Sequence, residues 1–362
     1  MAVMTQRTRP SGRANGLVSG QLPRWAPWAI LGGAVAVSGA FFAVLAVANG
    51  TEYAYAGAAV VAALVYVVAV VTVSALAEGR RKALDRLITA LVVGAFLVAM
   101  VPLVSVTWTV LAAGLPRFDL EFFTSSMRSI NGPGGGALHA IVGTLEITLV
   151  ATLISVPIGL LTSIYLVEYG RGRLARAITF FVDVMTGIPS IVAGLFAFAL
   201  FSAIVGPRAQ SGLAGAVALS VLMIPVVVRS SEEMLRIVPN ELREAAFALG
   251  VPKWATILKI VLPTSIAGIA TGVVIAIARV IGETAPLLLA AGFTNNMNYN
   301  LVSGPMQTLP LFVYTSYRSS GGMVQEDIDR AWTGALVLIL IVLVLNLAAR
   351  LIAKLFAPKT GR

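Results

Sequence analysis

The chain has 362 residues, 58% of them hydrophobic and only 12% charged, with a formal net charge of +10 and a mean hydropathy of +0.91. A soluble domain carries about twice that charged fraction, so soluble folds drop out and the question becomes how often the chain crosses a membrane. There is no cysteine and a single histidine, His139, which removes disulfides, thiolate chemistry and histidine-rich metal sites.

Residues 1–25 are polar, basic and rich in Gly and Ser. They read as a cytoplasmic tail, because no apolar core follows the first charges closely enough for a cleaved signal. Apolar runs without ionisable side chains come next, at 26–48 and 54–77, joined by the short turn "NGTEY". They predict a transmembrane hairpin that leaves the orientation of every later span unchanged, and hence an accessory to the downstream helices. The stretch "EGRRKALDR" (78–86) is a cytoplasmic linker, and a third span covers 87–113. The connection 114–137 is expected outside the membrane and ends in "NGPGGG", whose glycines keep the backbone adaptable.

Spans are next predicted at 138–167 and 177–205, both long and apolar but carrying ionisable residues. His139, near the outer start of the first, reads as a wetted interfacial histidine. Glu146 either faces a cavity or bonds a neighbouring helix. Asp183 either pairs locally or takes part in transport. Ser190, after Pro189, marks an expected helix break where freed backbone groups can face a cavity. A sixth span covers 212–228, a seventh 260–292 and an eighth 331–349. Between the last two, residues 293–330 have a proline and aromatic centre that predicts a short helix lying at the headgroups. Residues 357–362 form a second cytoplasmic tail.

Threading eight spans puts twenty Lys and Arg on one side and five on the other. That asymmetry places both termini in the cytoplasm, so the basic balance reports topology and not nucleic-acid binding. No G-x-x-x-x-G-K-[ST] loop occurs in the chain, so any ATP used must be bound by another polypeptide.

Residues 240–263, "NELREAAFALGVPKWATILKIVLP", are too charged to insert and too regular for a solvated loop. Asn240 is a predicted N-cap, with Glu241 in the first turn where the helix dipole favours a carboxylate. Gly250 can take the left-handed conformation that ends a helix, and Pro252 suits the first position of a second one. The expectation is a helix–turn–helix on the cytoplasmic face, kept slim by Ala245, Ala246 and Ala248. The competing reading is an amphipathic helix resting on lipid, whose apolar face Gly-Val-Pro would interrupt.

Glu244, Ala245, Ala246, Gly250, Ile260, Leu262 and Pro263 fit the spacing E-A-A, three residues, Gly, nine residues, Ile, one residue, Leu-Pro. This resembles the EAA loop of bacterial ABC importer permeases, which implies that those residues seat in a separate ATPase subunit. The next span holds Arg279 and Glu283 in "AIARVIGETAPLLLAAG". A charge near mid-bilayer costs about 2.5–3.5 kcal/mol on insertion scales, whereas an (i, i+4) pair on a helix returns only about 0.2–0.5 kcal/mol. Helix stability therefore does not account for both. Two readings stay open: a neutralised internal ion pair, or an anion pathway in which Glu283 draws back the guanidinium fork that grips an oxyanion. Thr284 can add a hydroxyl to the second, and Ser190 joins it as a pathway residue.

The stretches "GETAPLL", "AIVGTLEITL" (140–149), "GIPSIVAGLF" (187–196) and "MQTLPLFVY" (306–314) make residues 85–356 similar to phosphate-specific ABC importer permeases of the PstA type. The resemblance implies an all-α, six-helix MetI-like core over 87–356, with the first two helices additional to it, in a bacterial cytoplasmic membrane. It further implies a PstC-type permease partner, a PstB-type ATPase dimer inside that uses ATP-Mg, and a PstS-type phosphate-binding protein outside, with no cofactor on this chain. Another oxyanion (phosphonate, sulfate or molybdate) is the alternative cargo. An intramembrane enzyme using Glu283 as general base lacks the histidine cluster or paired carboxylates such chemistry needs.

Overall fold

The computed structural model describes residues 22–130, 132–207, 209–319 and 324–356, with side chains described as far as Leu351. The tail predicted at 357–362 lies outside the described residues, as does nearly all of that at 1–25. The described residues form helices and loops, with no strand among them. Among the described residues seven helices are long and apolar enough to cross a membrane, and a bent pair makes up to eight. The chain divides into two compact units after Val106, well beyond the linker at 78–86.

The N-terminal unit contains α1 (Ala26–Asn49), α2 (Tyr55–Ala77) and most of α3 (Arg80–Gly114). Gly50 closes α1 with φ +62°, its N–H bonded to the Ala46 carbonyl, as a left-handed cap requires. α1 and α2 pack closely. Ser38 Oγ donates to the Ala58 carbonyl at 2.6 Å, and the Phe42 ring fills the space where a side chain at Gly57 would stand. No such close packing joins α3 to α1 or α2. At the linker, the Glu78 side chain is 3% exposed and accepts from Leu22 N–H at 2.9 Å, Ser74 Oγ at 2.8 Å and Arg86 Nε at 2.9 Å. Burial pushes its carboxyl up, but these donors outweigh that and hold it below its ordinary value.

The second unit runs through α4 (Leu120–Thr124), α5 (Leu138–Ile164), α6 (Gly172–Thr186), α7 (Ser190–Val205) and α8 (Gly212–Ile237). It continues with α9 (Asn240–Ala248), α10 (Lys253–Thr256), α11 (Leu262–Val280), α12 (Ala285–Ala290), α13 (Leu309–Ser319) and α14 (Gln325–Phe356). A π-helical turn, Tyr165–Tyr169, ends α5, and another, Ile257–Val261, joins α10 to α11 without a break. α8 is the central post. Gly159 of α5 lies against Val227 and Gly272 of α11 against Ser230, where a Cβ would stand 2.7 and 2.5 Å away. Ile147, Leu219, Met223, Val227, Val280 and Leu287 build the core around it.

Several expectations change here. The run 177–205 is not one straight span: α6 and α7 meet at 107° across Gly187–Pro189. The sixth helix does not stop at 228 but runs to Ile237, because its charges are neutralised. Glu232 accepts from Arg229 at 2.8 Å and Arg236 at 2.7 Å, and Arg229 also reaches Asp183. Asp183 is thus a local partner. His139 is not wetted but 3% exposed, with Nε2 3.2 Å from Gln307 Oε1. The helix expected at the headgroups instead starts inside the core. Met306, Gln307, Leu309 and Phe312 are buried, and Leu309 N–H donates to Thr144 Oγ1 at 2.7 Å. The glycines of 132–136 are held, not adaptable. Arg330 donates to the Gly132 and Gly134 carbonyls at 2.8 Å each, and Arg117 to that of Gly135 at 2.8 Å.

Candidate functional site

Two places in the second unit carry the residues singled out by sequence. The first is 240–263. Pro239, not Asn240, is the N-cap of α9, and Asn240 Oδ1 instead accepts from Arg243 Nη1 at 3.3 Å. Glu241 occupies the first turn as expected. Gly250 has φ +74° with no atom near a Cβ built there, so backbone conformation alone calls for glycine. Val251 N–H bonds the Ala246 carbonyl at 3.1 Å and Gly250 N–H that of Phe247 at 2.9 Å, closing the helix. Pro252 is an N-cap, and the helical run after it continues from Lys253 to Val280.

Glu244 and Ala245 are exposed, and Ala246 is buried. Ile260 and Leu262 are half-buried and Pro263 is exposed. Leu249 is 83% exposed and Trp254 60%, so this charged segment keeps apolar side chains in the open. Its inner face is anchored on a cluster of Leu235, Val238, Val261 and Ile269.

The attachment of this segment is what residue order does not disclose. Arg243 donates through Nε to Glu168 Oε1 at 2.9 Å, and caps α8 through the Leu235 carbonyl at 2.9 Å and the Val238 carbonyl at 2.6 Å. Both partners are half-buried as residues, with only 12% and 6% of their side chains exposed. Lys253 reaches the Glu168 backbone carbonyl and stands 4.9 Å over the Tyr169 ring. The π-turn of α5 is therefore a socket that grips the segment at both of its short helices. By sequence, Arg243 and Lys253 count only toward topology. The available signal is Glu168 itself, a lone carboxylate at the end of an apolar run.

The second place is the break after α11. Arg279 and Glu283 do not share a helix face, because α11 ends at Val280 and residues 281–284 turn before α12. Arg279 is exposed and Glu283 half-buried. Among the described residues neither makes an ion pair or side-chain hydrogen bond, so the internal ion pair is not formed within this chain. Thr284 is the N-cap of α12 without a side-chain cap bond. Arg279 lies sixteen positions along the helix from Pro263, about 24 Å at ~1.5 Å per residue. Measured from the expected start of the span, Arg279 lies past the middle of a core about 30 Å thick.

The two broken segments meet. Gly194 of α7 lies directly on Pro286 of α12, where a Cβ would come within 2.5 Å of the proline Cα. Ala197, Ala214, Ala218 and Ala290 extend this contact as an all-alanine cluster. Ser190 opens α7 one turn before Gly194, and Thr284 stands two residues before Pro286. Small residues thus bring the break at Pro189 and the break at Glu283 together.

The family of binding-protein-dependent transport system inner membrane components matches residues 155–362. The phosphate transport system permease protein PstA 1 of Mycobacterium tuberculosis is 46% identical over 276 residues, 75% of this chain and 90% of that one. This chain belongs to the PstA-type phosphate transport permeases. The permease PstA of Pasteurella multocida is 43% identical over 249 residues, 68% of this chain and 86% of the relative. Among solved structures, a bacterial alginate ABC transporter in complex with alginate pentasaccharide-bound periplasmic protein matches with TM-score 0.57 and 16% identity, covering 77% of this chain and 97% of the other. That likeness extends to the fold alone. The permease is accordingly an all-α, multi-pass inner-membrane transport subunit of the ABC importer fold.

Proposed function

We propose that this permease forms half of the pathway of an ATP-driven importer of inorganic phosphate. The observation that carries the reading is 46% identity, over three quarters of the chain, to a phosphate transport permease. On this reading both termini are cytoplasmic, a PstC-type permease supplies the other half, and a PstS-type protein delivers phosphate from outside. A PstB-type ATPase dimer binds ATP-Mg below. The division into an accessory hairpin (26–77) and a permease core (87–356) belongs to the same proposal.

Glu244, Ala245, Ala246, Gly250, Ile260, Leu262 and Pro263 form the seat for the ATPase. The exposed Leu249 and Trp254 beside them support a seat that needs covering. Closure of the ATPase pushes on α9, and the push divides. One branch passes through Arg243 and Glu168 into α5, the other through the continuous run 253–280 into α11. Arg279 stands at the far end of that second branch, with Glu283, Thr284 and Ser190 about the break. An arginine with no ion-pair partner among the described residues is free to take two phosphate oxygens bidentately, and Glu283 nearby weakens the hold enough for release.

Reconstitution tests this. The assembled transporter in liposomes should hydrolyse ATP faster with binding protein loaded with phosphate than with phosphonate, sulfate or molybdate. Stimulation by another anion alone would replace the cargo. Glu244→Lys should leave assembly at the membrane intact and abolish uptake, and unchanged uptake would remove the coupling role.

A further inference from the structure

The N-terminal unit holds a cavity of about 890 Å³ between α2 and α3, with Trp28 and Leu31 of α1 in its lining, inside the range of about 300–1,000 Å³ usual for small-molecule sites. It arises because α3 stands off from the tightly packed α1–α2 hairpin. Its lining runs from Ala63 on α2 to Glu78 just past its end, and from Lys82 to Leu97 on α3. Each stretch covers about 22 Å at ~1.5 Å per residue. Half of a bilayer with its headgroups is about 20–22 Å, so the cavity has the depth of one leaflet. One end is apolar, with Val67, Val70, Val93 and Leu97, and the other is charged. Water does not fill an apolar slot at that depth, and an empty one forfeits the contacts of its walls.

The charged end selects the occupant. Of its four ionised groups, Glu78 and Arg86 are committed to each other at 2.9 Å. Lys82 is 47% exposed and only 3.8 Å from Glu78, and Asp85 is exposed with no ion pair among the described residues. The two groups open to a ligand are thus a cation, Lys82, held only by its long ion pair to Glu78, and an anion, Asp85, a single turn apart on α3. Trp28, 73% exposed, stands at the same end, as an interfacial aromatic does.

We propose that this cavity binds one phosphatidylethanolamine molecule, its acyl chains between α2 and α3, its phosphate on Lys82 and its ammonium on Asp85. A choline headgroup has no N–H for the carboxylate, and a glycerol headgroup leaves Asp85 facing the lipid phosphate.

The test uses the purified full chain equilibrated with vesicles of equimolar palmitoyl-oleoyl phosphatidylethanolamine, phosphatidylcholine and phosphatidylglycerol, then native mass spectrometry. The expected result is one retained lipid, with ethanolamine favoured about tenfold over each competitor, the worth of one charge-assisted hydrogen bond. Lys82→Ala with Asp85→Asn should abolish that preference. Gly94→Phe, at a lining position where a Cβ meets no atom within 4 Å, should lower retention with unchanged helical circular dichroism. No retained lipid, equal retention of the three classes, preference for the anionic one, or full retention in a folded Gly94→Phe chain would each overturn the proposal.

Discussion

Within its own chain Arg243 finds a carboxylate, two backbone carbonyls and an amide oxygen, whereas Arg279 finds no ion pair at all among the described residues. The two arginines lie in the same unit and are separated by one turn and one long helix. Where a charge is meant to hold geometry, the fold surrounds it and completes its hydrogen bonds. On the proposed reading Arg279 meets a ligand from outside the chain, and the fold leaves it open and supports the backbone beneath it instead. Val280 and Ile281 are buried on one side of the break and Pro286 and Leu287 on the other, so the loop is fixed while its charges are not.

The largest effect is expected at the socket. Glu168→Gln leaves Arg243 buried without its anion, and breaking a buried pair from one side costs about 3–5 kcal/mol. Thermal unfolding of the variant should fall well below the parent, and ATP hydrolysis should lose its dependence on loaded binding protein. Lys259→Ala, on the exposed face of the same segment, should stay within about 0.5 kcal/mol. Equal melting of the two variants would mean that the carbonyls of Leu235 and Val238 suffice to hold Arg243, and the contrast between the arginines would lose its firm half.

A smaller effect is expected where the broken segments touch. Gly194→Val forces a side chain into the Pro286 backbone and should cost about 1–3 kcal/mol as overpacking, with a matching loss of uptake. Gly282→Ala, inside the break itself, meets only the Arg279 carbonyl at 3.9 Å and should be tolerated in melting. If Gly282→Ala proved the more damaging, the rigidity of the break would reside in the loop and not in the helices that brace it.

Much of this is legible from residue order. The first two spans lie at nearly their expected bounds, because a helix in lipid must satisfy its own backbone and so advertises itself as an uninterrupted apolar run. The helices of the third, sixth and eighth spans run past theirs into charged sequence. The segment at 240–263 is legible because Gly250 and Pro252 punctuate it. The features hidden from sequence depend on partners far apart along the chain. Glu168 and Arg243 lie 75 positions apart, and neither carries a mark that names the other. The bend at Gly187–Pro189 reads as a break within a span, but nothing in residue order gives its angle of 107° or pairs Asp183 with Arg229. Residues 306–312 look interfacial by composition, and Thr144 and Gly143 on another helix draw them into the core. The shared helix face of Arg279 and Glu283 fails for a local reason: periodicity extrapolates through Gly282, whereas the chain turns there ahead of Pro286.

The sharpest use of the contrast is a double-mutant cycle at the open site, where the expected change in stability is the smallest. Arg279→Ala and Glu283→Gln remove groups that share no contact within the chain, so their effects on melting of the purified permease should add within about 0.3–0.5 kcal/mol. Uptake by the assembled transporter should behave otherwise. Arg279→Ala should abolish it by removing the grip, and Glu283→Gln should slow it by prolonging the hold, so that bound phosphate leaves later. In the double variant the second substitution then has nothing left to act on, and its effect on uptake should vanish. Additivity in melting together with strong non-additivity in transport is the signature of two side chains that meet through a cargo. Coupling of more than about 1 kcal/mol in melting would instead revive a direct ion pair, formed in a conformation other than this one, and Arg279 would then belong with Arg243 among the charges that hold the bundle.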